Sequence, residues 1–328
     1  MVLSSLFGGG RPAFTAAKDM PSLAGKVVLV TGGNSGLGKQ SVLDLARYGK
    51  PAVIWLAARK LERGQQAADD IAAQLPASST PAATTIKPLD LDLASFASVR
   101  AAAKRVVAES ARLDILLLNA GIMATAAALT ADGYEEQFGT NHMGHALLTK
   151  LLTPLLLQTA AATPNPDVRV VVLTSDGHAL APPPGILFDS LKSTQAAELS
   201  TVARYGQSKL ANILFARELA RRYEGRLRAV AVHPGVVSTN LANNFGARYL
   251  AIRLLVLPVV NALLTVSVET GARGQLWAAT APAADVESGL YYVPVGKKGG
   301  KKHPRADDDE LAARLWEWTE KELEGQEI

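Results

Sequence analysis

Tyr205 and Lys209 stand four residues apart in RYGQSKLANILFARELA, where apolar residues recur at helical spacing, so their side chains should emerge on one helix face. A phenol exchanges a proton near neutral pH only if something stabilises its anion. An ammonium about 4 Å away does so by roughly 4 kcal/mol at an effective dielectric of about 20, which is about three pKa units. The pair therefore reads as a candidate acid/base, a phenol tuned toward working pH by its cation. Taken alone, such a spacing also describes many solvated helix faces, so the reading depends on the rest of the chain.

Support begins near the start, in KVVLVTGGNSGLGKQSVLDLARYG. Lys26 to Val30 is a β-branched run of strand length, Thr31 to Gly38 is glycine-rich, and from Gly36 the apolar positions turn helical. Strand, glycine loop and helix start together let backbone N–H groups and a helix N-terminus hold a pyrophosphate. The spacing is GxxxGxG, not the commoner GxGxxG. Further apolar runs follow at 52–57, 84–89, 114–120, 168–175, 227–235 and 289–295, most of them separated by helical patterns. Continuous apolar character predicts parallel strands covered on both faces, in a single α/β fold of about seven strands. Ligands of such sheets bind beyond the carboxyl ends of the strands. The residues placed there are Gly32, Asn34, Ser35, Gly36, Leu37 and Gly38, then Arg59 and Lys60, Asp92 and Leu93, Asn119, Ala120 and Gly121, Ser175, and Pro234 and Gly235.

Taken in order, TGxxxGxG, NAG, the Asn of NHMGH, a Ser after the fifth run, YxxxK and a PG turn make the chain resemble the short-chain dehydrogenases/reductases over roughly residues 23–293. DLASFASVR, DGYEEQFGTNHMGHALLTKLL and YGQSKLANILFARELARR resemble the subgroup of retinol dehydrogenases, the WW-domain oxidoreductase and protochlorophyllide reductase. The resemblance implies a Rossmann-type doubly wound sheet, a nicotinamide cofactor and interconversion of an alcohol and a carbonyl. By the same likeness Tyr205 is the catalytic acid/base, Lys209 lowers its pKa and holds the nicotinamide ribose, and Ser175 polarises the substrate oxygen. Asn141, in a long helix expected to begin near Gly133, would help hold a water between Lys209 and bulk solvent. Asp92 would lie near the adenine and Asn119 to Gly121 beside the adenosine ribose. Pro234, Gly235 and Val237 would border the nicotinamide, with Thr239 near the phosphates. Thirty residues separate Ser175 from Tyr205, including Pro182 to Pro184, and the insert reads as a substrate-pocket loop.

Cofactor choice turns on the end of the second run, where a carboxylate would favour a ribose 2′-hydroxyl and a guanidinium a 2′-phosphate. AVIWLAARK carries no acid there, so NADP(H) is expected, with Arg59 as the phosphate clasp and Lys60 or Lys39 assisting. Two readings compete: a non-catalytic dinucleotide-sensing or scaffold protein on the same fold, and an epimerase or dehydratase using the same triad. The retained Ser175, Tyr205 and Lys209 argue against the first, and the absence of a larger substrate domain against the second.

The 328 residues suffice for one large domain, expected as an extension over 1–22, a catalytic domain over 23–296 and a basic loop with a C-terminal helix over 297–328. The absence of Cys excludes disulfides and thiolate chemistry, and a mild net charge of +4 with dispersed Lys and Arg gives no nucleic-acid patch. His142 and His145 form HxxH without a carboxylate pattern, so packing is expected there and no metal. The opening segment lacks the apolar core of a secretory signal, which points to the cytoplasm. The apolar stretch 249–267 is broken by Arg253, Pro258 and Asn261, too soon for a spanning helix. As part of a lid over about 240–267 it implies a medium-sized lipophilic substrate of polyketide, steroid, retinoid or terpenoid type, and it is the candidate for peripheral contact with an intracellular membrane. Homodimer formation through the helices carrying Asn141 and Tyr205 is a further expectation from the resemblance.

Overall fold

The structure is a computed structural model that describes residues 14–76, 84–162, 167–237, 266–300 and 303–328. The apolar runs fold as β1 (Val27–Thr31), β2 (Val53–Ala58), β3 (Thr85–Asp90), β4 (Ile115–Leu118), β5 (Arg169–Leu173), β6 (Arg228–Val232) and β7 (Tyr291–Val293). They lie in the order β3-β2-β1-β4-β5-β6-β7, all parallel. An eighth strand, β8 (Lys297–Lys298), runs antiparallel to β7. The start of the KKGGKKH segment, expected as a loop, therefore closes a hairpin at the sheet edge, with both lysines exposed.

The strands are apolar on both sides because two helical layers cover them. On one side Leu29, Trp55, Leu116, Val170 and Ala229 meet α4 (Phe96–Glu109), α6 (Gly144–Ala161) and α7 (Thr201–Arg222). On the other, Val28, Ile54, Ile115, Val171 and Val230 meet α2 (Gly36–Asp44), α3 (Leu61–Ala72) and α8 (Val268–Thr280). Two short helices, α1 (Ala16–Asp19) and α5 (Glu136–Phe138), precede larger elements, and buried Phe14 ties the start of the described chain to the second core. Burial on both faces satisfies the strands' Val, Ile and Leu at roughly 1.5 to 3 kcal/mol per fully buried side chain.

The helix expected from Gly133 begins instead at Glu136, whose preceding residue Glu135 caps it by accepting from Phe138 N–H at 2.7 Å. A π turn over Gly139–Met143 then joins α5 to α6 and carries Asn141. Such an extra residue in a helical turn re-aims the side chains around it. Glu135 also makes a buried ion pair with Arg204 of α7 at 3.2 Å, which locks the two helices together.

The C-terminal helix α9 (Asp309–Glu322) lies against α6 and α7. Trp316 stacks on Phe215 at 5.5 Å, His142 bonds Thr319 Oγ1 at 3.1 Å, and Tyr134 donates to Glu322 at 2.6 Å. This chain's own tail thus covers part of the face through which pairing was expected. It also braces the insert before Tyr205: Arg314 sits over the Phe188 ring at 4.4 Å, and Lys192 pairs with Glu322 at 2.5 Å. No helix among the described residues is long and apolar enough to cross a membrane. The stretches 240–265 and 249–265, which hold nearly all of the expected lid and membrane contact, lie outside the described residues, as does Thr239.

Candidate active site

Six connections, those after β1 to β6, leave the carboxyl edge of the sheet. After β1 the chain turns through Gly32 at φ +65° and enters α2 at Gly36 with φ +50°, values that favour glycine at both. Helix α2 starts without a side-chain cap on its first N–H groups. A Cβ on Gly38 would sit 2.2 Å from the Gly32 carbonyl oxygen and 2.6 Å from Asn119 Nδ2, so only glycine lets the helix approach the loop this closely. Uncapped amides, left-handed glycines and close approach make a cradle that fits the pyrophosphate of a dinucleotide. Asn34, Ser35 and Leu37 line the same loop.

After β2, Arg59 and Lys60 are both exposed, and neither has an acidic partner among the described residues. The ammonium of Lys39 pairs with Asp70 at 2.6 Å, and that bond lowers the carboxyl pKa. After β3, Asp92 accepts from the Ala94 N–H at 3.0 Å, and the carbonyl of Leu93 lies under Gly144. After β4, Asn119 donates to the Thr31 carbonyl at 2.8 Å and the Ala120 N–H to Thr31 Oγ1 at 3.0 Å, fastening this connection to the glycine loop.

Ser175 opens a 3-10 turn after β5, and its hydroxyl oxygen accepts from the Gly177 N–H at 3.1 Å. Gly177 is small for a reason. A Cβ there would meet the Tyr205 ring at 2.9 Å and Ser175 Oγ at 3.4 Å, so the phenol ring packs closely against this turn. Lys209, one helical turn further along α7, sets Nζ 5.8 Å from the Tyr205 ring centroid and donates to the Leu173 carbonyl at 3.2 Å. A Cβ on Gly121 would lie 3.2 Å from both Lys209 Nζ and Asn141 Oδ1, so these groups converge behind it. Tyr205, Lys209, Ser175, Asn141 and Gly121 are thus one cluster, while Pro234 and Gly235 follow β6, with Val237 bridged to Val266.

The electrostatics depart from the expectation in one respect. Burial raises the Tyr205 pKa, and its hydrogen bond to Ser175 only partly offsets this. Burial also lowers Lys209 to about 8, because an ammonium surrounded by protein loses its hydration. The phenol is therefore held neutral at pH 7 instead of being tuned down to it. The Asn141 amide donates to Ile122 O and Ser208 Oγ and accepts from Ile122 N–H, which fastens the π turn to the Ile122 backbone and to α7.

Several participants escaped the sequence reading. Asn212 shares the Leu173 carbonyl with Lys209, at 3.0 Å. Gln275 of α8 donates to Ser41 Oγ at 2.6 Å and to Asn119 Oδ1 at 3.2 Å behind the glycine loop. Asp176 takes the Tyr291 hydroxyl at 2.8 Å and His233 Nε2 at 3.1 Å, joining the Ser175 turn to β6 and β7. Asp176 and Gly177, one and two residues after Ser175, and Asn212, one helical turn after Lys209, had a local signal. Gln275 sits far from its partners in sequence and meets them only through the fold.

Residues 26–175 match the family model for short chain dehydrogenases. The short-chain dehydrogenase/reductase drtF of Aspergillus calidoustus is 39% identical over 321 residues, covering 94% of this chain and 97% of that protein. The chain belongs to the short-chain dehydrogenase/reductase family. Within it the likeness extends to human retinol dehydrogenase 14, 39% identical over 92% of this chain and 87% of that one. An uncharacterized protein from Mycobacterium paratuberculosis has a solved structure that superposes with a TM-score of 0.69 at 32% identity, over 95% of this chain and 97% of that one. NADPH-bound carbonyl reductase from chicken fatty liver shares the fold at a TM-score of 0.60 and 22% identity, over 85% of this chain and 99% of that one. As a short-chain dehydrogenase/reductase the protein is an oxidoreductase of the nicotinamide-dependent type.

Proposed function

We propose that this short-chain dehydrogenase/reductase interconverts a carbonyl and an alcohol on a medium-sized lipophilic substrate with NADP(H), using Tyr205 as proton donor and acceptor. The observation that carries the reading is the Tyr205 phenol pressed on the Ser175–Gly177 turn with Lys209 Nζ behind its ring. The nicotinamide, when bound, gives or takes hydride at the substrate carbon; the protein's part is to manage the oxygen. Charge develops on that oxygen, and two hydroxyls in place beforehand stabilise it without reorganisation. Ser175 Oγ accepts from Gly177 N–H and is hydrogen-bonded to Tyr205, so the two hydroxyls stand together where a substrate oxygen would meet both. A phenol kept neutral by burial is a loaded proton donor, the state that carbonyl reduction requires.

Lys209 then stabilises the phenolate that remains. With a pKa of about 8 it is still largely protonated at pH 7, and Leu173 O fixes its direction. Support for NADP(H) comes from Arg59 and Lys60, exposed and unpaired by any described acid at the end of β2, where a carboxylate would select the 2′-hydroxyl. Support for a lipophilic substrate comes from the apolar segment 249–267 that follows the PG turn and from the relation to retinol dehydrogenase 14.

The test is Tyr205→Phe, assayed by nicotinamide absorbance against a panel of lipophilic ketones, aldehydes and alcohols. Turnover should fall by about 100-fold or more while NADPH still binds, since only the proton transfer is removed. Turnover that persists with binding intact overturns the role of Tyr205.

A further inference from the structure

His145 is wholly buried, one helical turn after Asn141, and the mechanism above makes no use of it. Its Nδ1 lies 3.0 Å from the Asn141 carbonyl oxygen and its Nε2 lies 2.9 Å from Thr31 Oγ1. The direction of every proton follows from chemistry. A carbonyl only accepts, so Nδ1 carries the hydrogen. Burial pushes the imidazole down to about 4, with Lys209 nearby adding to the effect, so the ring is neutral and Nε2 is a bare acceptor. Thr31 must then donate its hydroxyl proton to Nε2. This agrees with the other side of Thr31, whose oxygen accepts the Ala120 N–H at 3.0 Å. The result is a directed chain from Ala120 through Thr31 and His145 to Asn141.

Each end of that chain belongs to a different working part. Thr31 is the last residue of β1 and leads into Gly32, and Asn119 holds its carbonyl. Asn141 sits in the π turn that faces Lys209. A ring needed only for packing would be apolar here, because a buried polar ring costs free energy unless its nitrogens are satisfied. We infer that His145 is a positioning residue that locks the glycine loop to the Asn141 turn, so the dinucleotide cradle and the catalytic helix hold one relative setting. The inference rests on the dinucleotide reading above and adds a coupling between its two halves.

The experiment measures NADPH affinity by nicotinamide fluorescence, together with the unfolding midpoint of the protein without added nucleotide. The proteins compared are wild type, Thr31→Val, His145→Phe, the double variant and His145→Gln. Losing one buried hydrogen bond from the chain should weaken NADPH binding about tenfold in either single variant. The double should bind no worse than the weaker single, because both changes cut the same chain. His145→Gln, whose amide oxygen still accepts from Thr31, should recover most of the affinity. Packing alone would lower the unfolding midpoint and leave affinity unchanged, which overturns the inference. Losses that multiply to about 100-fold in the double also overturn it. Should His145→Phe fail to fold, Thr31→Val decides: wild-type affinity in it refutes the coupling. A wild-type protein that binds neither NADPH nor NADH refutes the functional reading, and the coupling with it.

Discussion

Acid should weaken this fold between pH 7 and pH 5, and His142 allows the effect to be measured one residue at a time. The side chain is 1% exposed, with its ring 5.0 Å from that of Phe138 and 5.6 Å from that of Phe215. Its Nε2 meets Thr319 Oγ1, while its Nδ1 is buried with no partner among the described residues. Burial lowers its pKa from 6.5 to about 3. At pH 5 the unfolded chain therefore binds the proton and the folded chain does not, so stability is lost as pH falls below the unfolded value. Over the 1.5 units between 6.5 and 5 the linkage amounts to about 2 kcal/mol. His145, lowered to about 4, adds about 2 kcal/mol more by the same sign. Glu135 and Asp44 oppose this, since burial raises both and the folded chain takes up protons there first. That contribution is common to both proteins in the comparison and cancels.

The perturbation is His142→Phe, which keeps an aromatic ring among aromatic neighbours and removes the titration. Its cost at pH 7 should be about 1 kcal/mol for the hydrogen bond to Thr319. Urea unfolding at pH 7 and pH 5 gives the stability difference for each protein. The variant should lose about 2 kcal/mol less than wild type on acidification. An equal loss in the two proteins would refute the assignment of a neutral, buried His142.

Arg59→Asp should move preference from NADPH toward NADH by about tenfold or more, read as the ratio of dissociation constants; an unchanged ratio rejects the clasp. Gly38→Ala should abolish dinucleotide binding, because its methyl group would sit 2.2 Å from the Gly32 carbonyl; binding at wild-type strength would show that the loop is not the cradle. Leu315→Ala, at a buried position of α9, should cost about 2 to 4 kcal/mol in urea unfolding. A cost below about 1 kcal/mol would mean that the C-terminal helix is not anchored as described.

Local pattern made the strands legible. Runs such as Ile115–Leu118 and 170–173 are continuously apolar because both faces are covered, and the ends of their strands can be read to within a residue or two. The glycine loop and the Tyr205–Lys209 spacing were equally local, since each depends on residues within one turn or one helix. The start of the Asn141 helix was misplaced because a capping Glu135 and a π turn depend on what α7 presses against it. The KKGGKKH segment looked like a loop because a two-residue strand has no periodicity to detect, and only the neighbouring Tyr292 and Val293 backbones make it one.

The chemical identities at the site were thus set by the chain itself: a glycine loop, a serine after the fifth strand, and a phenol and an ammonium on one helix. What the phenol's acidity would be was decided by the fold, and in the opposite direction to the pairwise estimate. Sequence spacing supplies the distance between two charges, but solvation depends on everything packed around them. Burial raises the Tyr205 pKa against the lowering hydrogen bond from Ser175, and burial alone lowers that of Lys209. The partners of His145 likewise come from β1 and its own helix, brought together by a strand order that no local pattern encodes.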